Sequence, residues 1–150
     1  MALKQRIEND LEAALLGGNR FVSDVLRGLK ATILNEEVAQ GKRDEGLDDA
    51  TIEQLVAKEV KKRAESAALY EQGGRPELAQ TEQQEAEILR QYLPKQLSED
   101  ELKSIVEVKI AALGVSGPAA MGQVIGAVKK EVGTAADGAT LAKIVKETLS

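Results

Sequence analysis

The sequence predicts an all-α protein, and three observations carry that reading. Apolar residues recur at three-and-four spacing along successive segments, as helices buried on one face require. No stretch alternates Val, Ile or Thr with polar residues between turn signals, so no strand is expected. Between Tyr92 and Leu102 a helix stop and a helix start fall within a few positions of each other. Pro94 lacks a backbone N–H and pushes Leu93 out of helical dihedrals, which ends the incoming helix. Ser98 and Glu101 have capping-box spacing, and Leu97 and Leu102 sit where a hydrophobic staple needs them. The expected architecture is two helical subdomains, four helices over 1–94 and three over 98–150, joined by a short Pro-containing elbow.

In chain order, Leu3, Ile7, Leu11 and Leu15 step by four along a first helix, which Gly17-Gly18 stops. Asn19 caps a second helix whose buried face is Val22, Val25, Leu26, Leu29 and Ile33, ending near Gly41. Leu47 and Ile52 flank Asp48 as staple and cap of a third helix, which runs to Gln72 and closes at Gly73-Gly74. Pro76 suits the first turn of a fourth, with Leu78, Ala86, Leu89 and Leu93 facing inward. Beyond the elbow, Leu102, Ile105, Val106, Ile110 and Leu113 make the fifth helix's face, and Gly114 supplies a left-handed exit. A sixth helix starts around Gly117-Pro118 and carries Met121, Val124, Ile125, Val128 and Val132. Asp137 caps the last, with Leu141, Ile144, Val145 and Leu149 as its stripe.

Composition narrows the chemistry. One Phe, two Tyr and no Trp leave an aliphatic core and no aromatic platform on which unpaired bases could stack. Absence of Cys and His excludes disulfides, thiolate nucleophiles, the usual zinc ligands and imidazole acid–base chemistry. The net charge of −5 opposes nonspecific nucleic-acid binding, so any such binding must use a local patch. No long apolar run suggests a membrane span, and Met1-Ala2-Leu3-Lys4-Gln5-Arg6 is amphipathic without a signal-type core, so a cytoplasmic location is expected.

No constellation for catalysis, metal or cofactor emerges. Glu82, Glu85 and Glu87 lie in a Gln-rich helix and read as a solvated face, and the Ser and Thr residues have no His partner. Gly73-Gly74-Arg75-Pro76 follows no strand and so is a helix connection rather than a phosphate loop. Two basic features remain as binding candidates. Lys58, Lys61 and Lys62 share an arc of the third helix, where pairing of Lys61 with Glu65 and of Arg63 with Glu59 favours a solvated face over a phosphate grip. On the sixth helix, Gly122, Gly126, Lys129 and Gly133 fall at i, i+4, i+7 and i+11. Glycine weakens a helix interior by about 1 kcal/mol, so the stripe implies close approach of another backbone. A neighbouring helix packed on Gly122 and Gly126 is the favoured visitor, ahead of a phosphate backbone or partner protein.

Tyr92-Leu93-Pro94-Lys95-Gln96-Leu97-Ser98, then Met121-Gly122-Gln123-Val124-Ile125-Gly126, then Ala136-Asp137-Gly138 resemble the signature blocks of the GatB/YqeY family. Arg27-Gly28-Leu29-Lys30-Ala31-Thr32-Ile33 with Asn35-Glu36-Glu37, and Lys58-Glu59-Val60-Lys61-Lys62-Arg63, follow in the same order and spacing, so the resemblance covers essentially the whole chain. It implies a free-standing relative of the C-terminal tail of the tRNA-dependent amidotransferase B subunit. That tail helps hold tRNA, while the carbon–nitrogen ligase chemistry, with glutamine as amido-N-donor, occurs elsewhere in the enzyme. A Lys-Gly-Arg type segment usually precedes Ala-Asp-Gly in similar proteins. Here Gly133-Thr134-Ala135 stands in its place, and phosphate contacts would fall to Lys129, Lys130, Lys143 and Lys146. The resulting expectation is a noncatalytic module without cofactor or metal, either a tRNA- or RNA-binding auxiliary or an adaptor for an amidotransferase or other protein, with no membrane role.

Overall fold

A computed structural model describes residues 2–150. Seven α-helices form among the described residues: α1 Leu3–Leu16, α2 Arg20–Ala39, α3 Asp49–Gln72, α4 Pro76–Arg90, α5 Glu99–Leu113, α6 Met121–Val132 and α7 Gly138–Leu149. No strand occurs among the described residues, so the fold is all-α. The chain divides into two compact units, one ending at Leu93 and one running Pro94–Ser150. No single helix among the described residues is long and apolar enough to cross a membrane.

Local chemistry sets the helix ends. Asn19, Asp48, Ser98 and Asp137 each accept an N–H from the first turn of the helix that follows. At Ser98 the capping box is complete: the hydroxyl accepts the Glu101 N–H at 3.1 Å and the Glu101 carboxylate accepts the Ser98 N–H at 3.4 Å. Gly114 ends α5 at φ +66°, a conformation that penalises any residue with a Cβ. The second helix stops two residues short of Gly41, and α4 stops at Arg90 with Tyr92 and Leu93 in a following turn. A short 3-10 turn, Pro118–Ala120, leads into α6.

In the N-terminal unit, Leu3, Ile7, Leu11, Val25, Leu26, Leu29, Ile33, Ile52, Val56, Leu89 and Tyr92 share one core. α3 and α4 form a long antiparallel hairpin, and α1 packs on α2. Two expected core positions point outward. Leu15 is 48% exposed and Ala14 is buried instead, because four-residue steps drift by about 40° each around the helix. Leu78 is 40% exposed for a related reason: the inward face of α4 is set by Ala79, Ala86 and Leu89. In the C-terminal unit Leu102, Val106, Val124, Val128, Leu141, Ile144, Val145 and Leu149 form a second core, with Ile105, Ile110, Met121, Ile125 and Val132 around it, while Leu113 is 36% exposed. The elbow residues are held there, the Leu97 N–H donating to the Ala135 carbonyl at 2.8 Å and the Gln96 amide to the Thr134 carbonyl at 2.9 Å.

Polar contacts that periodicity does not encode tie the N-terminal unit together. Glu37 is only 2% exposed, yet its carboxylate accepts from Lys4 Nζ at 2.9 Å and from the Leu47 N–H at 3.2 Å. The bond to Lys4 holds this carboxyl below its usual range against the opposing cost of burial. Gly46, at φ +79°, brings the loop over this pair, and a Cβ there would stand 3.4 Å from a Glu37 oxygen. Tyr92 donates its hydroxyl to Asp10 at 2.7 Å while the Arg6 guanidinium lies 4.9 Å from its ring centre. Burial first, then Asp10, holds the phenol far above its ordinary pKa.

Candidate functional site

Charge is unevenly divided between the two units. Residues 1–93 contain thirteen basic and eighteen acidic side chains, whereas 94–150 contain seven of each, so the whole net charge of −5 resides in the N-terminal unit. Within the C-terminal unit the charges are also segregated by element. Glu99, Asp100 and Glu101 occupy the first turn of α5, where they complement the positive end of that helix. Lys129 and Lys130 occupy the last turn of α6.

The sixth-helix stripe is open. An ideal Cβ built on Gly122 or on Gly126 meets nothing within 4 Å, and both residues are exposed. This corrects the favoured expectation of a neighbouring helix packed on that face. α6 turns Val124 and Val128 toward α5 and α7, and the glycine row lies on the solvent side of that contact. Lys129 and Lys130 are exposed beside it and form no ion pair among the described residues. α7 packs on α5 and α6 through Leu141, Ile144, Val145 and Leu149, which leaves Lys143 and Lys146 exposed on its outward face, again without an ion-pair partner among the described residues. Lys109 differs, since it is committed to Glu131 at 3.1 Å. One unit thus brings Gly122, Gly126, Lys129, Lys130, Lys143 and Lys146 onto the exposed faces of two packed helices. Asp137 fills the N-terminus of α7, accepting both the N–H and the hydroxyl of Thr140 at 3.1 Å, so that end of the helix offers no anion site.

Lys58, Lys61 and Lys62 lie in the other unit, exposed on α3. Lys62 approaches Glu59 at 4.0 Å, and the expected Lys61–Glu65 pair does not form. Arg63 does bind Glu59, at 2.7 Å, but it also crosses to Glu85 of α4 at 3.2 Å. That crossing corrects the reading of Glu82, Glu85 and Glu87 as one solvated face. Glu82 and Glu85 are partly buried against α3, and desolvation together with the Glu85 charge raises the Glu82 pKa. Glu87 alone is exposed, and it pairs with Arg90. The Arg63 bridge had one legible sign, the i, i+4 spacing from Glu59. Its second partner depends on hairpin geometry.

The curated relatives that share part of this sequence include three proteins each named Altered inheritance of mitochondria protein 41, mitochondrial. The protein of Clavispora lusitaniae is 30% identical over 92 residues, 61% of this chain and 52% of the relative. That of Eremothecium gossypii is 32% identical over 87 residues, 58% of this chain and 46% of the relative. That of Lachancea thermotolerans is 30% identical over 115 residues, 75% and 60% of the two chains. The chain spans about half the length of the first two. Their names overturn the expectation of a cytoplasmic location, since they place these relatives in mitochondria. Composition and an amphipathic start do not distinguish one aqueous compartment from another. A family model described as Yqey-like protein matches residues 4–149. The chain belongs to the YqeY-like protein family.

Proposed function

We propose that this protein is a noncatalytic RNA-binding auxiliary, with tRNA as its RNA, and that the outward faces of α6 and α7 make the contact. One observation carries the reading: Lys129, Lys130, Lys143 and Lys146 are exposed without intramolecular ion-pair partners among the described residues, beside a glycine row open to solvent. Four free ammonium groups neutralise phosphates and release counterions, while Gly122 and Gly126 let a sugar–phosphate backbone approach the helix surface. Few aromatic side chains are available for stacking, so the contact reads backbone shape rather than base sequence. The resemblance to the amidotransferase tail supports tRNA as the ligand, and any amide transfer would belong to a partner enzyme. Titration of labelled tRNA against the native chain and a Lys129→Gln, Lys130→Gln, Lys143→Gln, Lys146→Gln variant tests the reading. Loss of binding in the variant is expected; equal affinity, or binding no better than that of an unrelated acidic protein, would refute it.

A protein-interaction adaptor without an RNA role is the second reading, favoured by the concentration of the −5 charge in the N-terminal unit. Pull-down with and without ribonuclease separates the two, because an adaptor keeps its partners after RNA is digested.

A further inference from the structure

Between α1 and α2 lies a groove of about 310 Å³, lined by Lys4 and Glu8 on one side and by Arg27, Lys30, Ala31 and Leu34 on the other, with Ile33 and Glu37 at its base. Its α2 wall is a row at helical spacing, Arg27, Ala31, Leu34 and Val38 at i, i+4, i+7 and i+11. Leu34 is 39% exposed and Val38, one turn beyond the groove, is 56% exposed. α2 buries Val25, Leu26 and Leu29 on its opposite side and Ile33 at the groove's base, which leaves Leu34 and Val38 as the exposed large apolar residues of this row. The row spans eleven steps, roughly 16 Å at 1.5 Å per residue, the length of three turns of a partner helix.

The charge at the groove is opposite to that of the unit carrying it. Glu37 is buried and committed to Lys4, so neither presents a free charge. Lys30 reaches Glu8 only at 3.9 Å, from a half-exposed ammonium to a partly buried carboxylate, a separation of modest net attraction. Arg27 is exposed and has no ion-pair partner among the described residues. The rim is therefore net positive within a unit of eighteen acidic and thirteen basic residues. A groove with an apolar α2 wall, a buried carboxylate at its base and a cationic rim disfavours RNA, whose phosphates would meet Leu34 and the Glu8 and Glu37 carboxylates. It complements a surface that is apolar on one side and carboxylate-flanked on the other. We infer that the α1–α2 groove is a docking site for an acidic amphipathic helix of a partner protein, with the partner's apolar face on Ala31, Leu34 and Val38 and its carboxylates on Arg27 and Lys30. The site lies on different helices from the lysine face of α6 and α7 and does not depend on RNA binding.

The test uses the full chain, isotope-labelled for NMR, and three capped synthetic helical peptides. One has Leu on two successive turns flanked by Glu, the second replaces each Glu by Lys, and the third replaces each Leu by Ser. The Glu peptide should shift the amides of Ala31, Leu34 and Val38 in a saturable manner, and the Lys and Ser peptides should bind at least about tenfold more weakly. Arg27→Glu and Leu34→Ser should each weaken the Glu peptide by about tenfold, whereas Lys129→Glu should leave it unchanged. Val38→Ser, at a more exposed position, serves as the second apolar variant should Leu34→Ser lower the melting temperature. Equal affinity for the Glu and Lys peptides, shifts confined to other helices, or no saturable binding would overturn the inference. So would self-association of the native chain that Leu34→Ser abolishes, which would make a second copy the occupant. Loss of tRNA binding in Arg27→Glu would overturn it too, by making the groove an RNA surface.

Discussion

Replacing Gly126 by Ala adds one methyl at an interior position of α6, where glycine is the poorest residue after proline for holding helical dihedrals. The gain in helix propensity is about 0.8–1 kcal/mol. Nothing in the structure opposes it, because an ideal Cβ at Gly126 meets no heavy atom within 4 Å apart from the helix's own adjacent backbone. Gly122 has the same open surroundings but lies in the first turn of the helix, where the propensity gain is smaller. For a small cooperative unit, 1 kcal/mol raises the melting temperature by about 4–8 °C. Circular dichroism during thermal and urea unfolding measures the change, and hydrogen exchange of α6 amides localises it. A loss of about 1–3 kcal/mol, the cost of overpacking, would show that another part of the molecule lies on this face and would refute the reasoning. The same variant separates stability from recognition. If a phosphate backbone approaches Gly126, the methyl should weaken tRNA binding in a protein that melts higher; unchanged affinity would leave the lysines alone as the contact.

Other substitutions give equally distinct results. Ser98→Ala removes the hydroxyl half of the capping box and should cost about 1 kcal/mol, with hydrogen-exchange protection lost mainly in Pro94–Ser150; uniform loss across both units would contradict this. Tyr92→Phe deletes the bond to Asp10 but keeps the ring under Arg6, so the N-terminal unit should lose about 1–3 kcal/mol in urea unfolding. Glu37 has a folded-state pKa below its unfolded value, so its contribution is present at neutral pH and disappears as pH falls through the folded pKa. Lys4→Met should therefore destabilise at pH 7 and much less in acid, read from melting curves at the two pH values. Glu82 has the opposite sign. Its raised folded pKa means that ionisation costs stability at neutral pH, so Glu82→Gln should raise the melting temperature at pH 7 and lose that advantage as Glu82 protonates in acid.

The fold was legible because its signals are local. Asp48, Ser98 and Asp137 cap, Gly114 adopts the left-handed exit, and Pro76 opens α4, each through contacts within a few residues of itself. The long apolar stripe of α2 needed no tertiary knowledge either. What escaped depends on neighbours distant in sequence. Leu15 and Leu78 fit a periodic pattern yet miss the core, because the facing helices, rather than the stripe alone, decide which arc is covered. The burial of Glu37 requires Lys4 from another helix and the loop at Gly46 and Leu47. The glycine row of α6 was visible as a pattern, but whether a Cβ there meets a neighbour is a property of the assembled unit. Exposed Leu34 and Val38 follow Arg27 and Ala31 at helical spacing, a signal present in the sequence but masked by the stronger buried stripe beside it.

The salt dependence of tRNA binding tests the central claim most directly. With four free lysines on α6 and α7 meeting phosphates, a plot of log affinity against log salt should be linear with a slope of about −2.8 to −3.6, from roughly 0.7–0.9 per neutralised phosphate. Each Lys→Gln substitution among Lys129, Lys130, Lys143 and Lys146 should reduce the steepness by somewhat less than about one. A slope unaltered by these substitutions, or binding at low salt no stronger than that of an unrelated acidic protein, would contradict the assignment of this face to RNA.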